Sequence, residues 1–108
     1  MKNKIKKLMK PELIEEKDFK KVLEELPLWE IINKKLNRQF LFEDFIEAFS
    51  FLTKVAIHSE RLNHHPEIFN VYNKVSIKLF THDLNDLSTL DIKLAKTIDS
   101  IYDQGNNK

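Results

Sequence analysis

The 108-residue chain contains no cysteine. Disulfides and thiolate metal sites are thereby excluded, and a reducing cytoplasmic setting fits. It has one glycine, Gly105, so the glycine-rich loops that cradle phosphates cannot be built. No serine lies in a nucleophile-elbow context. No apolar run approaches the ~20 residues needed to span a bilayer, and the N-terminus lacks the apolar core and small-residue cleavage site of a signal peptide. A cytoplasmic protein with no membrane partner is expected. Net charge is also small, +1, but unevenly spread. Lys2, Lys4, Lys6, Lys7 and Lys10 lie in a first decade without acids, so the remainder, +1 less those five, is net −4. A mildly acidic body argues against direct nucleic-acid binding. Residues 1–10 read as a solvated basic arm, 11–104 as a single domain and 105–108 as a tail.

Local patterns lay out the elements of that domain. Pro11-Glu12 opens a helix to about Glu25, with Phe19, Val22, Leu23 and Leu26 as one apolar stripe and Pro27 as its stop. Leu28–Lys35 is apolar and β-branched enough for a strand, Lys34–Asn37 supply a turn, and Arg38–Glu43 alternates as a second strand. Asp44 and Glu47 have capping-box spacing ahead of a helix ending near Leu62. Phe45, Phe49, Leu52, Val55 and Ala56 are its expected buried stripe, with Glu47, Lys54 and Arg61 on a solvated face. Ile68–Asn73 and Lys74–Phe80 follow as two more strands, joined too tightly for a crossover and therefore antiparallel. Ser88 caps a last helix, with Asp91 in its first turn. That helix carries the stripe Ile92, Ala95, Ile98 and Tyr102 and ends at Gly105. The order α-β-β-α-β-β-α predicts an α+β fold, a four-stranded antiparallel sheet with helices on one face.

The chemistry-bearing residues gather at the ends of these elements. His64 and His65 follow the long helix, and His82 follows the fourth strand. If the last two strands form a hairpin, the start of one lies beside the end of the other, so the three histidines reach one rim. Histidine titrates near neutral pH, which suits proton transfer. Other readings stand beside this one. Paired histidines also close a helix, where positive charge favours the dipole. His58 reads as a boundary residue without a role. Three histidines with Glu60 suffice in number for zinc, but adjacent ligands rarely both reach one ion, and no metal is expected. Acid–base chemistry on a small organic ligand remains.

The spacing Glu60-x-x-x-His64-His65-Pro66, five residues, Tyr72, nine residues, His82, eight residues, Asp91 resembles the signature of pterin-4a-carbinolamine dehydratases. The likeness includes Pro66-Glu67-x-Phe69-Asn70-Val71-Tyr72-Asn73-Lys74-Val75 and Thr81-His82. It extends from about Leu26 to Tyr102, taking in Trp29 and Phe42-x-Asp44-Phe45. The resemblance implies loss of water from a 4a-hydroxytetrahydropterin to give the quinonoid dihydropterin, in recycling the cofactor of aromatic amino acid hydroxylases. It implies a catalytic set of His64, His65 and His82. In that set His64 and His82 are the acid–base groups on opposite sides of the ring, and His65 chiefly holds substrate. Asn63, Thr81 and Asp83 would line the pterin pocket, with Asp83 also placed to orient His82, and Glu60 would serve either the pocket or a salt bridge. Asp91 matches the signature but has a structural explanation as a cap, and Pro66 and Tyr72 would shape the loop and core. No net redox change occurs, so no cofactor is expected. The resemblance also implies a homo-oligomer, dimer or tetramer, built on an edge strand or the long helix. It carries an alternative as well, since animal relatives act as dimerisation partners of a homeodomain transcription factor through that helix.

Overall fold

Two tight hairpins set the sheet. In the first, β1 (Glu30–Ile32) and β2 (Lys35–Leu41) are joined by Asn33 and Lys34, both at positive φ, 52° and 62°. Two successive left-handed residues make the turn whose twist matches that of paired strands. The expected turn at Lys34–Asn37 is therefore displaced, and the strands differ from the expected Leu28–Lys35 and Arg38–Glu43. Lys35 and Asn37 looked loop-like because they are polar, yet they point to the uncovered face while Leu36 and Phe40 are buried. In the second hairpin, β3 (Glu67–Val71) and β4 (Lys74–Leu79) turn at Tyr72–Asn73. Asn70 Nδ2 donates to the Lys74 carbonyl at 2.8 Å, and Asn73 Nδ2 to that of Phe42 at 2.9 Å. Tyr72 takes φ 53° at this turn and is 61% exposed, so it shapes the turn and not the core.

The computed structural model describes residues 10–106; residues 1–9, with most of the lysine arm, and residues 107–108 of the tail lie outside the described residues. The sheet is antiparallel in the order β1-β2-β4-β3. Its central pair, β2 with β4, sets Leu36 opposite Leu79 and Phe40 opposite Val75. Leu36, Phe40, Val75, Ile77 and Leu79 face three helices and are buried with Trp29, Phe51, Val55, Leu94 and Ile98. Each such side chain stabilises the fold by roughly 1.5–3 kcal/mol on burial. The fold is thus α+β in the order α-β-β-α-β-β-α.

The first helix, α1 (Phe19–Glu25), follows a 3-10 turn at Glu16–Asp18 and begins later than the expected Glu12. The segment before it pairs with the start of the last helix instead. Thr89 N–H donates to the Glu12 carbonyl and Ile14 N–H to that of Leu87, each at 2.9 Å. A helix's first N–H groups lack internal acceptors, and this strap supplies one.

Helix α2 (Phe45–Leu62) starts where expected, the Asp44 carboxylate accepting from Glu47 N–H at 2.8 Å. Its buried face is Ala48, Phe51, Val55 and Ser59. The expected stripe was rotated. Val55 alone of it is buried, Leu52 is half-buried, and Phe45, Phe49 and Ala56 are exposed. Two apolar stripes adjoin on this helix, and the sheet packs against only one. The last helix, α3 (Thr89–Asn106), buries Leu94, Ala95, Ile98 and Ile101, leaves Ile92 and Tyr102 half-buried, and continues past Gly105. Its Asp99 accepts from Trp29 Nε1 at 2.8 Å and, with the same oxygen, pairs with Arg38. No helix of the described residues is long and apolar enough to cross a membrane.

Candidate active site

Helix α2 ends with Asn63 in the left-handed conformation, φ 53° and ψ 43°. Asn63 N–H donates to the Glu60 carbonyl at 3.2 Å and His64 N–H to that of Ser59 at 3.0 Å. This closure is the one glycine usually makes, and asparagine tolerates it. It turns the chain sharply, so that His64 and His65 leave the helix end in different directions. The His64 ring goes inward and is 8% exposed; the His65 side chain remains 54% exposed.

Beyond β4, Thr81 to Asp86 forms a compact turn. Thr81 N–H donates to the Asp86 carbonyl at 2.9 Å, and Asn85 sits at φ 51°. The turn starts beside the first residue of β3, since Glu67 pairs with Lys78 near the end of β4. His82 is exposed, its ring packed on that of Phe80 with centroids 4.3 Å apart.

The two corners enclose one cleft of about 410 Å³, within the size of small-molecule sites. Asn63, His64, His65, Thr81, His82 and Asp83 all line it. Glu60 does not; its carboxylate contacts His65 Nε2 at 2.6 Å and holds that ring from the exposed side. Asp83 lines the cleft next to His82, whose ring packs against Phe80. His58 lies outside the cleft, in a groove with Arg61 and Lys93. Pro11, Leu62, Pro66, Glu67 and Leu90 complete the wall. Pro11 and Leu90 carried no sequence signal for this, because the strap that brings Pro11 here was read as helix. A smaller hollow of about 180 Å³, beside Phe42, Phe51 and Tyr102, contains no histidine.

Behind the cleft lies a buried polar cluster. Asp91 is 0% exposed. Its Oδ1 lies 2.5 Å from His64 Nε2, while its Oδ2 accepts from Ser88 N–H and from Thr81 Oγ1, each at 2.9 Å. Asp91 therefore is the cap expected from Ser-x-x-Asp spacing, Leu90 N–H returning to Ser88 Oγ at 3.2 Å. The same carboxylate is also the partner of a cleft histidine, a link that the capping pattern alone did not reveal. Among the described residues no group of three or more His, Cys, Asp or Glu is arranged to hold a metal ion. His64 and His65 diverge toward different carboxylates.

Comparison with known proteins gives the same picture of kinship. The sequence profile described as Pterin 4 alpha carbinolamine dehydratase matches residues 12–101. A protein of Prochlorococcus marinus (strain MIT 9515), named provisionally as a pterin-4-alpha-carbinolamine dehydratase, is 50% identical over 96 residues, covering 89% of this chain and all of its own. Its counterpart from strain MIT 9312 is 47% identical over the same length. Among solved structures, a transcriptional coactivator/pterin dehydratase from Brucella melitensis superposes with a TM-score of 0.81 at 36% identity, covering 84% of this chain and 99% of that one. A pterin dehydratase-like RuBisCO assembly factor of the alpha-carboxysome, 23% identical with a TM-score of 0.58 over 68% of this chain and 86% of its own, shares the fold. On its sequence and on its fold alike, this chain belongs to the pterin-4-alpha-carbinolamine dehydratase family.

Proposed function

We propose that this protein dehydrates a 4a-hydroxytetrahydropterin, releasing water and the quinonoid dihydropterin, in the recycling of tetrahydrobiopterin-type cofactors. The observation that carries the reading is the shared cleft: His64, His65 and His82, separated along the chain, line one cavity with Asn63, Thr81 and Asp83. In the reaction the C4a–O bond breaks and the hydroxyl takes a proton to leave as water. The N5–H proton is lost as the N5=C4a double bond forms, so no electrons are gained or lost. Two groups able to donate and accept protons suffice, and imidazoles do both near neutral pH. His64 and His82 are the proton donor and acceptor, and His65, held by Glu60, contacts the substrate.

Stopped-flow measurement on synthetic 4a-hydroxytetrahydropterin, with the uncatalysed rate subtracted, tests this. His64→Ala and His82→Ala are each expected to lower turnover by about 10²-fold or more. Unchanged rates in both variants reject the assignment.

A second reading, a dimerisation module for a transcription regulator, draws on a different observation. Phe45, Ile46, Phe49 and Ile57 of α2 are 49%, 76%, 56% and 48% exposed. This replaces the expectation that the Phe45 stripe serves the core. The same face also supports self-association into a dimer or tetramer, and the enzyme reading stands first because the histidine cleft is intact. A pull-down from the protein's own cell extract that returns a transcription regulator, from a preparation without dehydratase activity, reverses that order.

A further inference from the structure

Three of the contacts behind the cleft constrain one another. Asp91, as a carboxylate, has no hydrogen to give, so Thr81 Oγ1 spends its one hydrogen on Asp91 Oδ2. Thr81 Oγ1 also lies 2.5 Å from Ser88 Oγ. With the threonine hydrogen already used, Ser88 must be the donor there. Its oxygen is free to do so, since the contact from Leu90 N–H uses only a lone pair. All the hydrogens of the chain Leu90 N–H, Ser88 O–H, Thr81 O–H therefore point the same way, toward Asp91. Aligned hydrogen bonds in a buried site polarise one another.

The direction has a consequence for His64. Asp91 Oδ2 is filled by Thr81 and by Ser88 N–H, which leaves Oδ1 as the acceptor facing His64 Nε2 at 2.5 Å. That nitrogen must carry hydrogen. In a neutral imidazole the other nitrogen is then bare. His64 Nδ1 has no hydrogen-bond partner among the described residues, and no buried side-chain nitrogen or oxygen there lacks one, so Nδ1 keeps contact with solvent. His64 lines the cleft, and Nδ1 is the ring nitrogen not committed to Asp91.

We infer that Ser88 is a positioning residue: through Thr81 and Asp91 it holds His64 as the Nε2–H tautomer, so that Nδ1 is the atom exchanging protons in the cleft. The inference rests on the acid–base role proposed for His64, and it extends that role to a named atom and to a serine outside the cleft lining. Ser88 is 0% exposed and touches no substrate space, so it acts only through its partners.

The test begins without substrate. In protein labelled with 15N-histidine, long-range proton–nitrogen correlation identifies which ring nitrogen bears hydrogen, and His64→Gln assigns the His64 signals. The expected spectrum shows a protonated Nε2 and a bare Nδ1 while the ring is neutral. An Nδ1–H tautomer, or an even mixture, overturns the inference, and this needs no variant at Ser88 to fold. In folded Ser88→Ala, a mixed tautomer and a fall in kcat of about 10-fold, KM unchanged, are expected, with Ser88→Thr restoring both. A native tautomer and native kcat in Ser88→Ala overturn it as well. If the intact protein shows the expected tautomer yet dehydrates no 4a-hydroxypterin, the relay stands and the proposed function falls.

Discussion

His64 and Asp91 meet at 2.5 Å across 27 residues of sequence, the imidazole at the rim of the cleft and the carboxylate fully buried behind it. The acid is thus shared between a helix cap and a site residue. Asp91→Asn keeps the shape, but with its amide oxygen accepting from Ser88 and Thr81 its NH2 faces the Nε2–H of His64, donor against donor. Such unmatched buried groups cost about 1–3 kcal/mol. Turnover is expected to fall by about 10²-fold alongside that loss. Urea denaturation and single-turnover kinetics measure the two effects separately; full activity in a destabilised variant would show that Asp91 is a cap alone.

Asn63 supplies the left-handed turn that sends His64 inward. A residue with a Cβ and no local hydrogen bond is disfavoured there by roughly 1–2 kcal/mol. Asn63→Ala is therefore expected to lose about 1 kcal/mol of stability, whereas Asn63→Gly stays near the parent. Equal stabilities of the two variants in denaturant titration contradict this account of the corner.

Asp99 gathers Trp29 and Arg38 on one oxygen, and the Arg38 side chain, 9% exposed, lies over the rings of Phe40 and Tyr102. Removing the acid strands a mostly buried guanidinium. Asp99→Ala is expected to cost about 3–5 kcal/mol. Replacing both charges, Arg38→Met with Asp99→Leu, is expected to cost less than Asp99→Ala alone. Thermal melts of the three proteins decide, and a double variant weaker than the single one removes the argument.

The exposed apolar face of α2 predicts self-association. Phe45→Lys combined with Phe49→Lys is expected to lower the oligomer mass in light scattering without loss of the circular-dichroism signal, because both positions are about half exposed. An unchanged mass places the contact elsewhere, the sheet edges β1 and β3 being the next candidates.

On the surface between α1 and α3, a hydrogen bond from Lys96 holds the Glu25 carboxyl below the usual glutamate range, and the lysine's charge adds to it. A lowered value means a stabilising contribution present above the ordinary glutamate pKa and lost as pH falls through the lowered one. NMR titration is expected to return Glu25 to the ordinary range in Lys96→Met. A midpoint that stays put assigns the shift to another neighbour.

The types and order of the elements were legible in the chain, because helix and strand periods are local properties. Asp44 with Glu47 and Ser88 with Asp91 announced two helix starts, and both caps form. The gathering of His64, His65 and His82 in one cleft also followed from local reasoning, since a two-residue turn forces β3 and β4 side by side. Other features had no local signature. The resemblance assigns Tyr72 a part in loop and core, but it takes the left-handed position of the hairpin turn and is exposed. The strap at Glu12–Ile14 looked helical until the open end of α3 supplied it with partners.

Helix α2 marks the division most sharply. Phe45, Phe49 and Ala56 form one apolar stripe and Ala48, Phe51 and Val55 another, and either would satisfy the same periodicity. Residue pattern decides that a helix forms and is amphipathic. Which stripe is buried depends on where the sheet lies, and that is set by β2 pairing with β4, two strands remote in sequence. The same long-range packing brings Thr81 and Asp91 behind His64. A hydrogen bond between distant residues exists only once the whole core has closed around it.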